Sequence, residues 1–316
     1  MKARNVFQLG IASYLKGRKI MQKYLPTNDL LFKKMLTSED SPHILKAFVK
    51  DLLGIEFKTM KPKETYHIDS YKKSYEETDI FRTEVDILAI ADDGSHTTIE
   101  CQIQSHAFFH ERSVFYLSEA FRSPFGNQEA TEVEKKNNFS SLRPAYGINI
   151  IDFHLFDKQE QALQLFRLLN EETYRPFLNK DNKELLMLCF LSLKNPHIDK
   201  QSAGYHWQYF LKTGETKNDA PDYIQEAKRK TDFLTLESEE KEMIMKINKS
   251  KAIHDAVFAT AIEEAKEKGL EQGIEQGREE ERQILAAKLL KTGLSLEQVC
   301  EVTGLSIDFL IKLKSE

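Results

Sequence analysis

Asp86, Glu100 and Gln102 interrupt two apolar runs in VDILAIADDGSHTTIECQIQ, residues 85–104, and Asp93-Gly94 between the runs signals a tight hairpin turn. Side chains alternate faces along a strand, so the length of that turn decides which acids meet. A two-residue loop of Asp93-Gly94 sets Asp86 opposite Cys101 and sends Glu100 to the other face. A three-residue loop of Asp92, Asp93 and Gly94, with Gly94 left-handed, sets Asp86 opposite Glu100 and Glu84 opposite Gln102. Composition favours the second register. One face then holds Arg82, Glu84, Asp86, Glu100, Gln102 and Gln104. The other holds Val85, Ile87, Ala89, Ile99, Cys101 and Ile103, and a slip of one residue would mix the two sets.

Such a hairpin can simply turn its polar face to water. Two features argue for chemistry instead. Asp and Glu are poor strand residues, and like charges directly opposite one another repel unless a cation sits between them. A hard divalent cation bound by two carboxylates and a backbone carbonyl removes the repulsion. Mg²⁺ is the expected ion, because it keeps water molecules in its coordination shell.

The elements that must hold this hairpin follow from periodicity and punctuation. PTNDLLFKKMLTSEDSPHILKAFVKDLLG reads as two helices. Thr27 or Asn28 caps the first, and the second runs from Pro42 to Leu53 with Gly54 at its end. Residues 55–80 are polar and ambiguous, with room for a strand and a turn. HERSVFYLSEAFR places Val114, Leu117 and Phe121 at helical spacing, which predicts a helix packed through those residues. AYGINIIDFHLF is a β-branched apolar run that predicts a central strand. QALQLFRLLN and KELLMLCFLSL fit helix or strand equally. Beyond residue 235 the composition becomes that of a long charged helix. Helices and strands mixed in this order predict an α/β core over residues 26–235, after an extension of residues 1–25.

Composition narrows the partners. With 41% hydrophobic residues the chain can bury one full core plus an appendage, and its net charge of −5 gives no global attraction to nucleic acid. The charge is uneven, however: +6 over residues 1–70, −6 over 71–236 and −5 over 237–316. A DNA ligand would need a local basic surface built from the N-terminal segment. Cys101, Cys189 and Cys300 are scattered in apolar runs, as expected of buried thiols in a reducing compartment. No apolar run approaches a membrane span. VFQLGIASYLKGRK has no cleavage-like site, so a cytoplasmic protein is expected.

VDILAIADDG followed by IECQ resembles the D…E-x-Q signature of the recombination-promoting nuclease and transposase family, a branch of the PD-(D/E)XK nucleases. PTNDLLFKKML is similar to that family's opening segment, and HERSVFYLSEAF to its helix bearing Arg112 and Tyr116. LSLKNP, WQYFL and GLEQGIEQG continue the similarity in order, over nearly all of the chain after residue 25. The resemblance implies a restriction-endonuclease-like fold, a mixed central sheet flanked by helices, with a helical tail. It implies Mg²⁺ held by Asp86, Glu100 and the Cys101 carbonyl, and hydrolysis of a DNA phosphodiester by a metal-bound water. Gln102 stands where the superfamily more often has Lys. It can orient water or phosphate by hydrogen bonds but cannot supply charge. Arg112 and Lys33 are candidates for the missing cation. Glu84 is a further metal ligand or a partner for Arg82, and Asp29 an accessory acid or a favourable charge in a helix's first turn. The alternative is a non-catalytic DNA-binding or oligomerising relative, and the cleft chemistry would serve RNA as well.

Other patterns are weaker. His106 and His110 share zinc-ligand spacing but lack an H-E-x-x-H pattern, and a polar helix start or phosphate contact suits them better. Gly269, Gly273 and Gly277 lie four apart on the long helix of residues 236–292, each costing about 1 kcal/mol against Ala. They suit close helix approach, hence a homo-oligomer, or a weakly helical linker. Residues 293–316 read as a helical pair resembling a helix-turn-helix. Ser295 and Gln298 form its capping box, and Gly293 and Gly304 follow the preceding helices. Its positive charge is too sparse for a DNA reader, so an interaction or capping role is expected.

Overall fold

The computed structural model describes residues 24–77, 86–105, 107–124 and 138–315. Helix α1 spans Asp29–Thr37 and α2 spans Pro42–Leu53. The Asn28 side chain caps α1 by accepting from the Leu31 amide at 3.4 Å. Gly54 ends α2 at φ +72°, a conformation that a Cβ would penalise. Between them the two helices bury Phe32, Met35, Leu36, Ile44, Leu45, Phe48 and Val49 against the sheet.

Six strands form one mixed sheet: β1 (Met60–Pro62), β2 (Ile87–Ala91), β3 (His96–Gln102), β4 (Ala145–Ile151), β5 (Leu163–Arg167) and β6 (Leu186–Ser192). Their spatial order is β1-β2-β3-β4-β6-β5. β3, β4 and β6 run parallel, and the outer pairings are antiparallel. All seven residues of β4 are buried, as expected of the central strand in AYGINII. Pairing settles the two ambiguous runs: QALQLFRLLN supplies the edge strand β5, and KELLMLCFLSL the buried β6.

A parallel β3–β4 pair needs a crossover, which contains helix α4 (Phe109–Arg122). It covers one face of the sheet, where Leu117 and Ala120 meet Ala145, and Phe109 meets Ile151 and Phe190. The opposite face carries Ile87, Ala89, Ile99, Ile148, Ile150, Cys189 and Leu191 into the main core. That core also takes α1, α2, α5 (Ala203–Thr213) and α6 (Asp222–Lys230). Asp51 of α2 ties the last two together, accepting from Trp207 Nε1 at 2.8 Å and the Tyr223 hydroxyl at 2.9 Å.

Two local expectations are corrected. The segment of residues 55–80 contains a helix, α3 (Ile68–Glu77), as well as β1. On α4 one of the three marked positions fails: Val114 is 50% exposed, whereas Leu117 is buried and Phe121 packs beside it. Ser113, Tyr116 and Ala120 share the buried face.

Helix α7 (Ser238–Lys291), α8 (Leu296–Thr303) and α9 (Ile307–Ser315) complete the chain. Contacts divide it into two compact units, meeting between Ile244 and Met245. The start of α7 thus belongs to the core. Glu240 accepts from Lys34 Nζ at 2.7 Å and from the Tyr66 hydroxyl at 2.9 Å, while Met243 and Ile244 are buried. The second unit packs Ala286, Val299, Leu305 and Leu310 together. Its capping box is present, with the Gln298 amide donating to Ser295 Oγ at 3.3 Å and the Ser295 amide to Gln298 Oε1 at 3.0 Å. Among the described residues no helix is long and apolar enough to cross a membrane.

A chain ending at residue 236 loses Glu240, Met243 and Ile244, whereas one ending at 252 keeps them. The shorter chain is expected to be at least about 3–6 kcal/mol less stable in urea unfolding, the worth of two buried side chains, with loss of the partly buried Lys34–Glu240 pair adding to it. Equal midpoints would show that the first turns of α7 do not belong to the core.

Candidate active site

The hairpin loop is Asp92, Asp93 and Gly94, with Gly94 at φ +80° and the Ala91 amide donating to the Ser95 carbonyl at 2.9 Å. The rungs run Ile90↔His96, Ala89↔Thr97, Leu88↔Thr98 and Ile87↔Ile99. Asp86 directly precedes the last of these rungs, so the register carried one step further points it toward Glu100. Asp86 Oδ2 accepts from the Cys101 amide at 2.7 Å, just beyond the last β2–β3 rung. The N–H and C=O of one strand residue point to the same edge, so the Cys101 carbonyl faces that side too.

Helix α4 brings Arg112 across the polar face. Its Nη2 donates to Glu100 Oε1 at 2.7 Å and its Nη1 to Gln102 Oε1 at 3.4 Å. The guanidinium carbon lies 5.4 Å from the centre of the Tyr116 ring. Glu100 is only 3% exposed, and its Oε2 is buried with no hydrogen-bond partner. Gln102 donates to the Gln104 carbonyl at 2.9 Å.

Helix α1 contributes Asp29 and Lys33, which face each other at 3.7 Å. The Tyr71 hydroxyl of α3 donates to Asp29 Oδ2, and Lys33 Nζ sits 5.6 Å from the Tyr71 ring centre. Sequence reasoning missed Tyr71 because it missed α3; the spacing of Ile68 and Tyr71 behind a first-turn Asp69 was the available signal. It also passed over Asn149, which shares a β3–β4 rung with Glu100 and donates to the Cys189 carbonyl at 3.2 Å.

Arg82, Glu84 and His106 lie outside the described residues. The His110 ring packs edge-on against Phe156 at 5.8 Å. Among the described residues no three His, Cys, Asp or Glu side chains cluster as metal ligands. The Asp86–Glu100 pair with a backbone carbonyl is a smaller donor set.

The electrostatics follow from this crowding. Burial pushes the Asp86 pKa up to about 7, and Asp29 and Glu100 add to it against the Cys101 amide and Lys33. Burial also raises Glu100, with Arg112 opposing, and raises Tyr116, with Glu100 assisting. Burial works against the charge on Arg112, yet its pKa is raised, because Glu100 and Tyr116 hold the proton in place. Two acids that resist ionisation, one with an orphaned buried oxygen, suit a divalent cation: its charge would lower both pKa values and satisfy that oxygen.

The sign of the linkage is testable. A folded-state pKa raised from 3.8 to about 7 gives Asp86 a stabilising contribution below pH 4 that is lost as pH rises through 7. In metal-free protein Asp86→Asn should therefore match the wild type near pH 4 and exceed it near pH 8, by about 1–3 kcal/mol. Thermal melting at the two pH values measures this, and an offset independent of pH would contradict it.

A family model described as PD-(D/E)XK nuclease family transposase matches residues 26–265. No curated protein and no solved structure matches the chain.

Proposed function

Because the chain belongs to the PD-(D/E)XK nuclease family of transposases, we propose that it is a Mg²⁺-dependent endonuclease that hydrolyses DNA phosphodiester bonds in recombination or transposition. The observation that carries this reading is the buried and unsatisfied Glu100 Oε2, close to an Asp86 carboxylate held by the Cys101 amide.

Asp86, Glu100 and the Cys101 carbonyl would hold the ion. When bound, the ion supplies Lewis acidity and lowers the pKa of a coordinated water. The protein's own groups do the rest. The Cys101 amide orients Asp86, and Arg112 orients Glu100 and Gln102. Gln102 offers hydrogen bonds to a water or a phosphate oxygen. Arg112 is committed to Glu100, so Lys33, 3.7 Å from Asp29 and 5.6 Å from the Tyr71 ring centre, is the cation assigned to a phosphate. Asp29 acts as an accessory acid by raising the Asp86 pKa, and Tyr116 supports the Arg112 guanidinium. Glu84 takes no part in this assignment.

Nicking of supercoiled plasmid in Mg²⁺ tests the proposal. Asp86→Ala and Glu100→Gln should each slow cleavage at least about 100-fold, the usual scale for loss of a group that stabilises developing charge. Lys33→Ala should slow it by about tenfold or more. A wild-type protein that binds DNA without cleaving it would be a non-catalytic relative, and preferential cleavage of an RNA strand would move the substrate class.

The tail is proposed as an oligomerising element. Its net charge of −5 over residues 237–316 disfavours DNA, and Val302, Ile307 and Ile311 are exposed apolar residues on α8 and α9. Removing residues 253–316, which leaves the first turns of α7 on the core, should preserve plasmid nicking and lower the molar mass seen by light scattering. Unchanged stoichiometry with lost DNA binding would make the tail a DNA-binding module instead.

A further inference from the structure

The two carboxylates of the site share an unusual feature: each already has one oxygen in use. Asp86 Oδ2 is held by the Cys101 amide at 2.7 Å, and Glu100 Oε1 by Arg112 Nη2 at 2.7 Å. The grip on Glu100 is braced. Arg112 also reaches Gln102 through Nη1 at 3.4 Å, lies over the Tyr116 ring, and comes from a helix buried against the sheet through Phe109, Tyr116 and Leu117. Glu100 itself is fixed on the central strand β3 and is 3% exposed, so it has little room to turn. What remains for a ligand is Oε2, buried and unpartnered.

A carboxylate restricted in this way offers Oε2 first, and Oε1 only in competition with the Arg112 hydrogen bond. That difference separates divalent ions. Ca²⁺ takes six to eight oxygens at 2.3–2.6 Å and often engages carboxylates through both oxygens, whereas Mg²⁺ takes six at 2.0–2.1 Å and retains several waters. We propose that Arg112 is a positioning residue that fixes Glu100 as a one-oxygen ligand, and so makes the site select small octahedral ions of the Mg²⁺ and Mn²⁺ kind over Ca²⁺. The inference rests on the metal-dependent reading above and adds to it the residue that sets ion choice.

The amide that restrains Asp86 belongs to the backbone and is not removed by substitution, which leaves Arg112 as the adjustable half of the device. Replacing it has two separable effects. Loss of the positive charge strengthens the binding of every divalent ion alike. Release of Glu100 Oε1 favours Ca²⁺ alone.

Isothermal titration calorimetry of Mg²⁺ and of Ca²⁺ on the full-length protein, without nucleic acid, separates them. The wild type is expected to bind Mg²⁺ in preference to Ca²⁺. Arg112→Met, which keeps the length of the side chain and removes its donors, should shift the ratio of the two dissociation constants toward Ca²⁺ by at least about fivefold. Arg112→Lys, which keeps the charge but not the planar fork, should shift it in the same direction, and it replaces the first variant if circular dichroism shows that one unfolded. A ratio unchanged from the wild type overturns the proposal while leaving the metal-dependent reading intact. A wild-type protein that binds neither ion overturns both.

Discussion

Two carboxylates brought together at one end of a hairpin are the constraint to which the rest of the molecule answers. Asp86 directly precedes the last β2–β3 rung and Glu100 follows it, and burial raises both pKa values. Left alone, such a pair would weaken the hairpin. The protein offsets part of the cost with Arg112 and the Cys101 amide, and leaves the remainder as an unsatisfied oxygen on Glu100. That imbalance is the local feature on which the proposed metal binding rests.

The fold delivers the surrounding groups from both sides of the sheet. Helix α4 lies on one face and brings Arg112 and Tyr116; α1 packs on the other and brings Asp29 and Lys33. β3 can receive both because it has different neighbours at its two edges, antiparallel β2 and parallel β4. The β4 side is fully laddered, down to the Asp152 amide donating to the Gln102 carbonyl at 3.1 Å. The β2 side stops at Ile87, and there the Asp86 carboxylate replaces a backbone partner. The site is therefore built where a strand outlasts its neighbour.

Much of this was legible in the sequence because the deciding signals were local. Asp92-Asp93-Gly94 together with strict alternation specified the register; Asn28, Ser295 and Gln298 marked helix ends by side-chain hydrogen bonds, and Pro42 and Gly54 by their backbone conformations. What escaped depended on tertiary contacts. The buried face of α4 takes Ser113 and Ala120 beside Phe109, Tyr116 and Leu117 and leaves Val114 out, which a count of large apolar residues cannot register. Helix α3 is polar along its length, and Tyr71 becomes part of the site only through its hydrogen bond to Asp29, 42 residues earlier. The attachment of α7 to the core was hidden for a similar reason. Glu240 looks like one more acid in a charged helix until Lys34 and Tyr66 are seen around it.

The three-residue turn between β2 and β3 acts as a ruler. Substitutions within it that respect the left-handed backbone at Gly94 leave the spacing of Asp86 and Glu100 untouched. Adding or removing a single residue rotates one strand by half its repeat and sends one carboxylate to the wrong side of the sheet. Length here is thus a heritable property distinct from residue identity. Over time this turn can drift in composition but not in size.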